Sequence, residues 1–214
     1  MPPLSDTNTV RVTVAEFLEL SLGSTVLRAG QSTNVPIEIE SPLPVTNVQF
    51  SIATDLSRLR NFSLSGLASG VLAYSIQQSD PQHLIVSFTL QPASFVAATV
   101  LGHLDFEATA GQVSAFVPLR VLDLAAYEPS GITVPATLPI DGRVTVVGNE
   151  PLLEAMPQHT LILHGVPGSA YRIESTTDLS APAWQPAAQG MLSGFSQVIN
   201  VPAATMLFYR VVQP

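Results

Sequence analysis

Side chains that can do chemistry are sparse in this chain and poorly spaced for it. The sequence holds 16 carboxylates, 8 arginines, 4 histidines, and neither cysteine nor lysine. Hydrolysis by paired acids needs two carboxyl groups converging across a cleft. Glu38 and Glu40 are two residues apart, as are Asp105 and Glu107. On a strand that spacing puts both members of a pair on one face, so the expectation is solvent-side decoration. His83, His103, His159 and His164 show no His-x-x-x-His ligand spacing, and His103, beside an apolar strand, reads as structural. No Gly-x-Ser-x-Gly elbow is present. Asp123 and Glu128 place two oxygen ligands near one loop, without the string of ligands that an EF-hand supplies for calcium. The absence of cysteine removes thiol nucleophiles, disulfides and thiolate metal sites. The sequence therefore predicts no enzyme, no cofactor and no metal.

Binding chemistry is nearly as thin. Nucleic-acid recognition needs a basic stripe, whereas the net charge is −8 and the arginines are scattered. The same scatter argues against anionic membrane surfaces. Apolar residues make up 46% of the chain, yet no uninterrupted apolar run exceeds four residues, so membrane insertion is not predicted. Glycan binding needs coplanar exposed aromatics. The tyrosines are Tyr74, Tyr127, Tyr171 and Tyr209, and the one tryptophan is Trp184. Tyr127, in the polar loop Ala126–Gly131, is the candidate glycan contact.

The elements that would position these residues are strands. Val35, Ile37 and Ile39 alternate with Asn34, Glu38 and Glu40. Val48, Phe50 and Ile52 alternate with Asn47, Gln49 and Ser51, and Leu84, Val86, Phe88 and Leu90 alternate with Ser87, Thr89 and Gln91. Period-two patterning predicts half-buried strands. They are expected near residues 33–40, 45–54, 71–77, 83–91, 100–110, 113–123 and 142–147, separated by Gly, Pro and Asp turn signals such as Ser41-Pro-Leu-Pro44. Phe95 to Thr99 reads as a short helical turn. The first seven or so residues read as a flexible lead, without the basic and apolar regions of a signal peptide. Thr9 to Leu22 reads as a greasy strand that either completes its own sandwich or is donated to a neighbour's sheet edge. Residues 1–148 form the first predicted domain and 149–158 a linker. Residues 159–214 form a small β module, close to the lower size limit for an independent core, with the segment from Asp178 to Gln189 expected as a loop.

The first domain resembles the cohesin and carbohydrate-binding-module superfamily. Leu27-Arg-Ala-Gly-Gln-Ser-Thr-Asn-Val-Pro-Ile-Glu-Ile39, Val45 to Leu56, Val100-Leu-Gly-His-Leu-Asp-Phe106 and Asp141-Gly-Arg-Val-Thr-Val146 carry the likeness, in the family's order. It implies an antiparallel jelly-roll β-sandwich, with a smaller C-terminal β-sandwich module completing an all-β chain. In cohesins a polar sheet face recognises the dockerin module. The resemblance makes Asn47, Gln49, Ser51, Ser87, Thr89 and Gln91 the candidate partner face, although Gln49 and Gln91 stand where that family has acidic residues. The last module resembles a C-terminal module of exported proteins from Verrucomicrobia-type bacteria. Gly165-Val-Pro-Gly168, Tyr171, Ile173-Glu-Ser-Thr176, Asp178-Leu179, Trp184 and Phe208-Tyr-Arg-Val-Val212 carry this one. It implies an extracellular or cell-surface setting. The expected function is a structural or assembly module that contacts a protein partner or itself; a glycan-binding accessory module is the alternative.

Overall fold

The computed structural model describes residues 16–157, 160–201 and 208–213, which hold strands and no helix. The first unit contains β1 (Phe17–Leu22), β2 (Ser24–Arg28), β3 (Ser32–Ala53), β4 (Leu59–Ser65), β5 (Val71–Asp80), β6 (His83–Ala108), β7 (Ala115–Tyr127), β8 (Ala136–Ile140) and β9 (Gly142–Val147). The second contains β10 (Leu152–Met156), β11 (Thr160–His164), β12 (Ala170–Thr176), β13 (Gln185–Met191), β14 (Ser196–Asn200) and β15 (Phe208–Val212).

Two very long strands organise the first unit. β3 and β6 pair antiparallel from Ala53 opposite His83 to Ser32 opposite Glu107. The first half of β3 lies between β1 and β6, and the second half between β6 and β7. The ribbon thus serves both layers of the sandwich, bending where its register shifts between Ile39 and Asn47. Pro42 and Pro44 have no N–H to give a ladder and fall within that stretch. They bend the strand rather than ending it, so the two strands expected there are one. Buried residues change parity across the bend, from Val35, Ile37 and Ile39 to Val48, Phe50 and Ile52. Phe95 and Thr99 also belong to this ladder, opposite Ser41 and Ile39. The expected helical turn is strand, because the irregular stretch of β3 gives those residues a partner.

β1 pairs with β3 and, in parallel, with β8. Residues 17–22 therefore complete their own sandwich; Thr9 to Ala15 lie outside the described residues. The chain then crosses between sheets at Gly23, and β2 pairs in parallel with β9. A Cβ on Gly142 would sit 2.2 Å from the Gly23 carbonyl oxygen, so the crossing requires glycine. One apolar cluster fills the interior, centred on Phe50, Phe88 and Phe106, and Phe50 and Phe88 stack at 6.5 Å. Burying side chains of this size stabilises by about 1.5–3 kcal/mol each.

The second unit packs β10-β11-β14 against β13-β12-β15 around Leu161, Leu163, Tyr171, Ile173, Leu192, Ile199 and Val201. Two expectations change here. The stretch read as linker contains β10, which pairs with β11 along its whole length. The expected loop contains β13, which pairs with β12. Glu154 explains the first change. It accepts from Arg143 of β9 (3.0 Å) and contacts His164 of β11 (3.2 Å), tying β10 down on both sides.

Candidate functional site

Register places the predicted partner residues on one surface. On the outward side of β5, β6, β3 and β7, one row runs Ala73, Thr89, Asn47, Tyr127. The next runs Ser75, Ser87, Gln49, Ala125, and the third Gln77, Ile85, Ser51, Leu122. Inward side chains of β3 and β6, Val48, Phe50, Ile52, Val86 and Phe88, are buried, which backs the middle of the surface from below. Thr89 donates to Asn47 Oδ1 at 3.2 Å, Thr46 Oγ1 donates to the Tyr127 carbonyl at 3.1 Å, and the Ser75 and Ser87 hydroxyls lie 2.8 Å apart. These short-range bonds use only part of each group's capacity, leaving donors and acceptors facing outward.

Five of the six predicted partner residues meet in these rows. Gln91 is exposed on the same strand, beyond the point where β3 leaves register, with its N–H on the Gly70 carbonyl at 2.8 Å. Tyr127, predicted separately as a glycan contact, is 36% exposed and joins the same surface beside Asn47. Tyr74 is opposite inward-facing Phe88, so it is not coplanar with Tyr127. Sequence reading missed Ala73, Ser75 and Gln77 of β5 and Leu122 and Ala125 of β7. Strand patterning was visible in both regions, but which strands neighbour β3 and β6 is a matter of topology. No carboxylate stands in the three rows. Charge borders the rows in two places: exposed Asp123 sits in the β7 bulge between Leu122 and Ala125, and at one end Arg120 lies opposite Ala53 while His83 sits 2.8 Å from Asp80.

The carboxylates are elsewhere. Glu19 stands directly opposite Glu40 on β1 and β3, with Glu38 two pairs along on the same face. Asp105 and Glu107 face outward on β6 near Asn34, Asn61 and Ser63, in a shallow polar groove. Glu107 is engaged by Arg60 and accepts from Asn61 Nδ2 at 2.8 Å. The Arg60 guanidinium first, and Asn61 second, hold its carboxyl below the usual range. A carboxylate clamped in this way is a poor general acid or base. His164 is buried between Ser196 Oγ (2.8 Å) and Glu154, with Phe116 edge-on at 5.5 Å. His103 is half-buried against Gly66, and His159 lies outside the described residues. Asp123 is exposed with φ of 51°. Among the described residues no group of three or more His, Asp or Glu side chains is placed to hold a metal ion. Of the remaining aromatics, Tyr171 is buried and Trp184 is half-buried beneath the Arg210 guanidinium at 4.3 Å.

No protein-family model matches the chain, and no curated protein matches it. Solved structures do. CaCohA2 of Clostridium acetobutylicum, in its complex with a point variant of CaDoc0917, is 20% identical with a TM-score of 0.54, covering 60% of this chain and 99% of that chain. The sixth cohesin of Acetivibrio cellulolyticus scaffoldin B, in complex with a mutant Cel5 dockerin, is 14% identical with a TM-score of 0.51 over 60% and 98%. A type I cohesin–dockerin complex of Clostridium thermocellum, Coh-OlpA with Doc918, gives the same identity, TM-score and coverage. At these identities the likeness shows a fold. Only the first unit is large enough for such a match, and its fold is cohesin-like.

Proposed function

We propose that this chain is a non-catalytic protein-docking module of an exported or cell-surface bacterial protein, with the outward face of β5, β6, β3 and β7 as its docking surface. One observation carries the reading: four strands of a cohesin-like sandwich present three uncharged rows in which amides and hydroxyls predominate, over the buried inward side chains of β3 and β6. Fixed amides and hydroxyls suit recognition of a protein surface by hydrogen bonds, and their neutrality selects against a densely charged partner. Dockerins are the first partners to test, because similar structures were solved bound to them. The extracellular setting is supported by the resemblance of residues 165–212 to a module of exported proteins.

The test is calorimetric titration of the chain with CaDoc0917, Doc918 and the Cel5 dockerin, in parallel with retardation on polysaccharide gels. One-to-one dockerin binding that falls at least tenfold in Gln49→Arg and Thr89→Arg supports the reading. Binding indifferent to both substitutions, or binding to none of the dockerins, argues against it. Retardation on polysaccharide that is lost in Tyr127→Ala would replace protein docking with glycan binding on the same surface.

A further inference from the structure

Among the described residues, the strands of the first unit with one unpaired side are β2, β4, β5 and β8. Native sheet proteins protect such edges by shortness, proline, charge or a break in the ladder. β2 is five residues long and carries Arg28, and β8 is five residues long and carries Pro139. β4 carries Arg60, and its register breaks next to Asn61, whose φ is 58°. In the second unit β10 and β14 are five residues each, β13 carries Pro186 and β15 carries Arg210. β5 differs in its middle: its register shifts only near its ends, between Val71 and Ala73 and between Gln78 and Asp80, and Ala73–Gln78 pair regularly. It runs for ten residues without proline, its one charge is the terminal Asp80, and Leu72 and Tyr74 are 66% and 50% exposed.

We propose that β5 is a homotypic docking edge: two copies of this chain pair through their β5 strands, antiparallel about a two-fold axis. A two-fold axis sets a strand antiparallel to itself, so the contact must be self-complementary. Val71 to Ser79 meets that condition because it contains no charge to oppose its own twin. A register centred on Ser75 puts Tyr74 of each copy opposite Ile76 of the second copy, covering an apolar side chain on both sides. It also puts Ala73 opposite Gln77, and leaves each Asp80 at the outer end, far from its counterpart. The paired edge joins two four-stranded outward faces into one continuous surface, yet it does not depend on what that surface binds. A contact of one strand per copy is smaller than a standard stable interface, so the dimer forms only as concentration rises.

The experiment is sedimentation equilibrium of the full chain from micromolar to millimolar, with Tyr74→Lys, Tyr74→Glu and an equimolar mixture of the two. Tyr74 is exposed, and far-ultraviolet circular dichroism checks that both variants keep the fold. The expected result is a twofold rise in wild-type mass with concentration, monomer for each variant alone, and recovery of the dimer in the mixture. A wild-type mass that never changes, a dimer that survives in both variants, or a mixture that stays monomeric overturns the proposal. So does loss of the dimer in Val12→Lys with retention in the Tyr74 variants, which would assign the contact to a donated N-terminal strand.

Discussion

The two outward faces of the first unit rest on one core and differ in almost everything else. Over β5, β6, β3 and β7 the three paired rows hold amides, hydroxyls and apolar groups, with Asp123 beside them in the β7 bulge. Over β1, the other half of β3, the other half of β6 and β4 they include Glu19, Glu38, Glu40, Asp105 and Glu107. Like charges directly opposite each other destabilise a sheet, and Glu19 faces Glu40 across the ladder. A fold that tolerates such crowding on one face has no folding reason to keep the other neutral. In the proposed docking role, neutrality has a use. Any charge covered by a partner needs a counter-charge or is left desolvated, and a face of amides and hydroxyls avoids that requirement.

If the faces differ only in surface chemistry, the support beneath them should be equivalent. Phe50→Ala, under the neutral face, is expected to cost about 3–5 kcal/mol, and Ile37→Ala, under the acidic face, about 2–5 kcal/mol. Urea unfolding measures both; a loss below about 1 kcal/mol at either site would mean that one face is not backed by the shared core. Acid response is the next contrast. Glu107 has its carboxyl lowered by Arg60, so its contribution is present above the ordinary carboxylate range and disappears as pH falls through the lowered value. Arg60→Gln should be less stable than wild type at neutral pH, with the gap closing on acidification. Stability curves that stay parallel down to low pH would remove the clamp from the account. Smaller still, Glu40→Gln should stabilise by about 0.2–1 kcal/mol by relieving Glu19, with the gain shrinking in high salt. Gln49→Glu, placed between Ser87 and Ala125, should stay within about 0.5 kcal/mol of wild type. A large loss there would show that the neutral face is needed for folding after all.

Strand alternation makes the neutral face readable in the amino-acid order alone. Val48, Phe50 and Ile52 have to point one way and Asn47, Gln49 and Ser51 the other, because the pleat allows nothing else. Pairing is not readable in the same way. β3 and β6 run through prolines and bends that locally look like ends, and only the tertiary ladder shows that they continue. The same limit hides β10 and β13. Leu152–Met156 and Gln185–Met191 have weak patterns of their own and become strands because β11 and β12 offer them free edges. Tyr127 is legible as an exposed aromatic, but its place beside Asn47 depends on β7 docking against β3.

The long ribbon also sets how this molecule can assemble in time. β6 and β7 follow each other in the chain, yet β3 lies between them. The sheet therefore cannot grow by adding hairpins in order; a strand made much earlier must be brought back and inserted. Pairings of such separation close large loops before they return any stabilisation, which puts the first unit among slow, millisecond-to-second folders. β5 and β6 are joined by a tight turn at Asp80 to His83, so this hairpin can form first and then wait with its apolar side uncovered. The arrival of β3 pairs the free edge of β6 and sets Phe50 against Phe88.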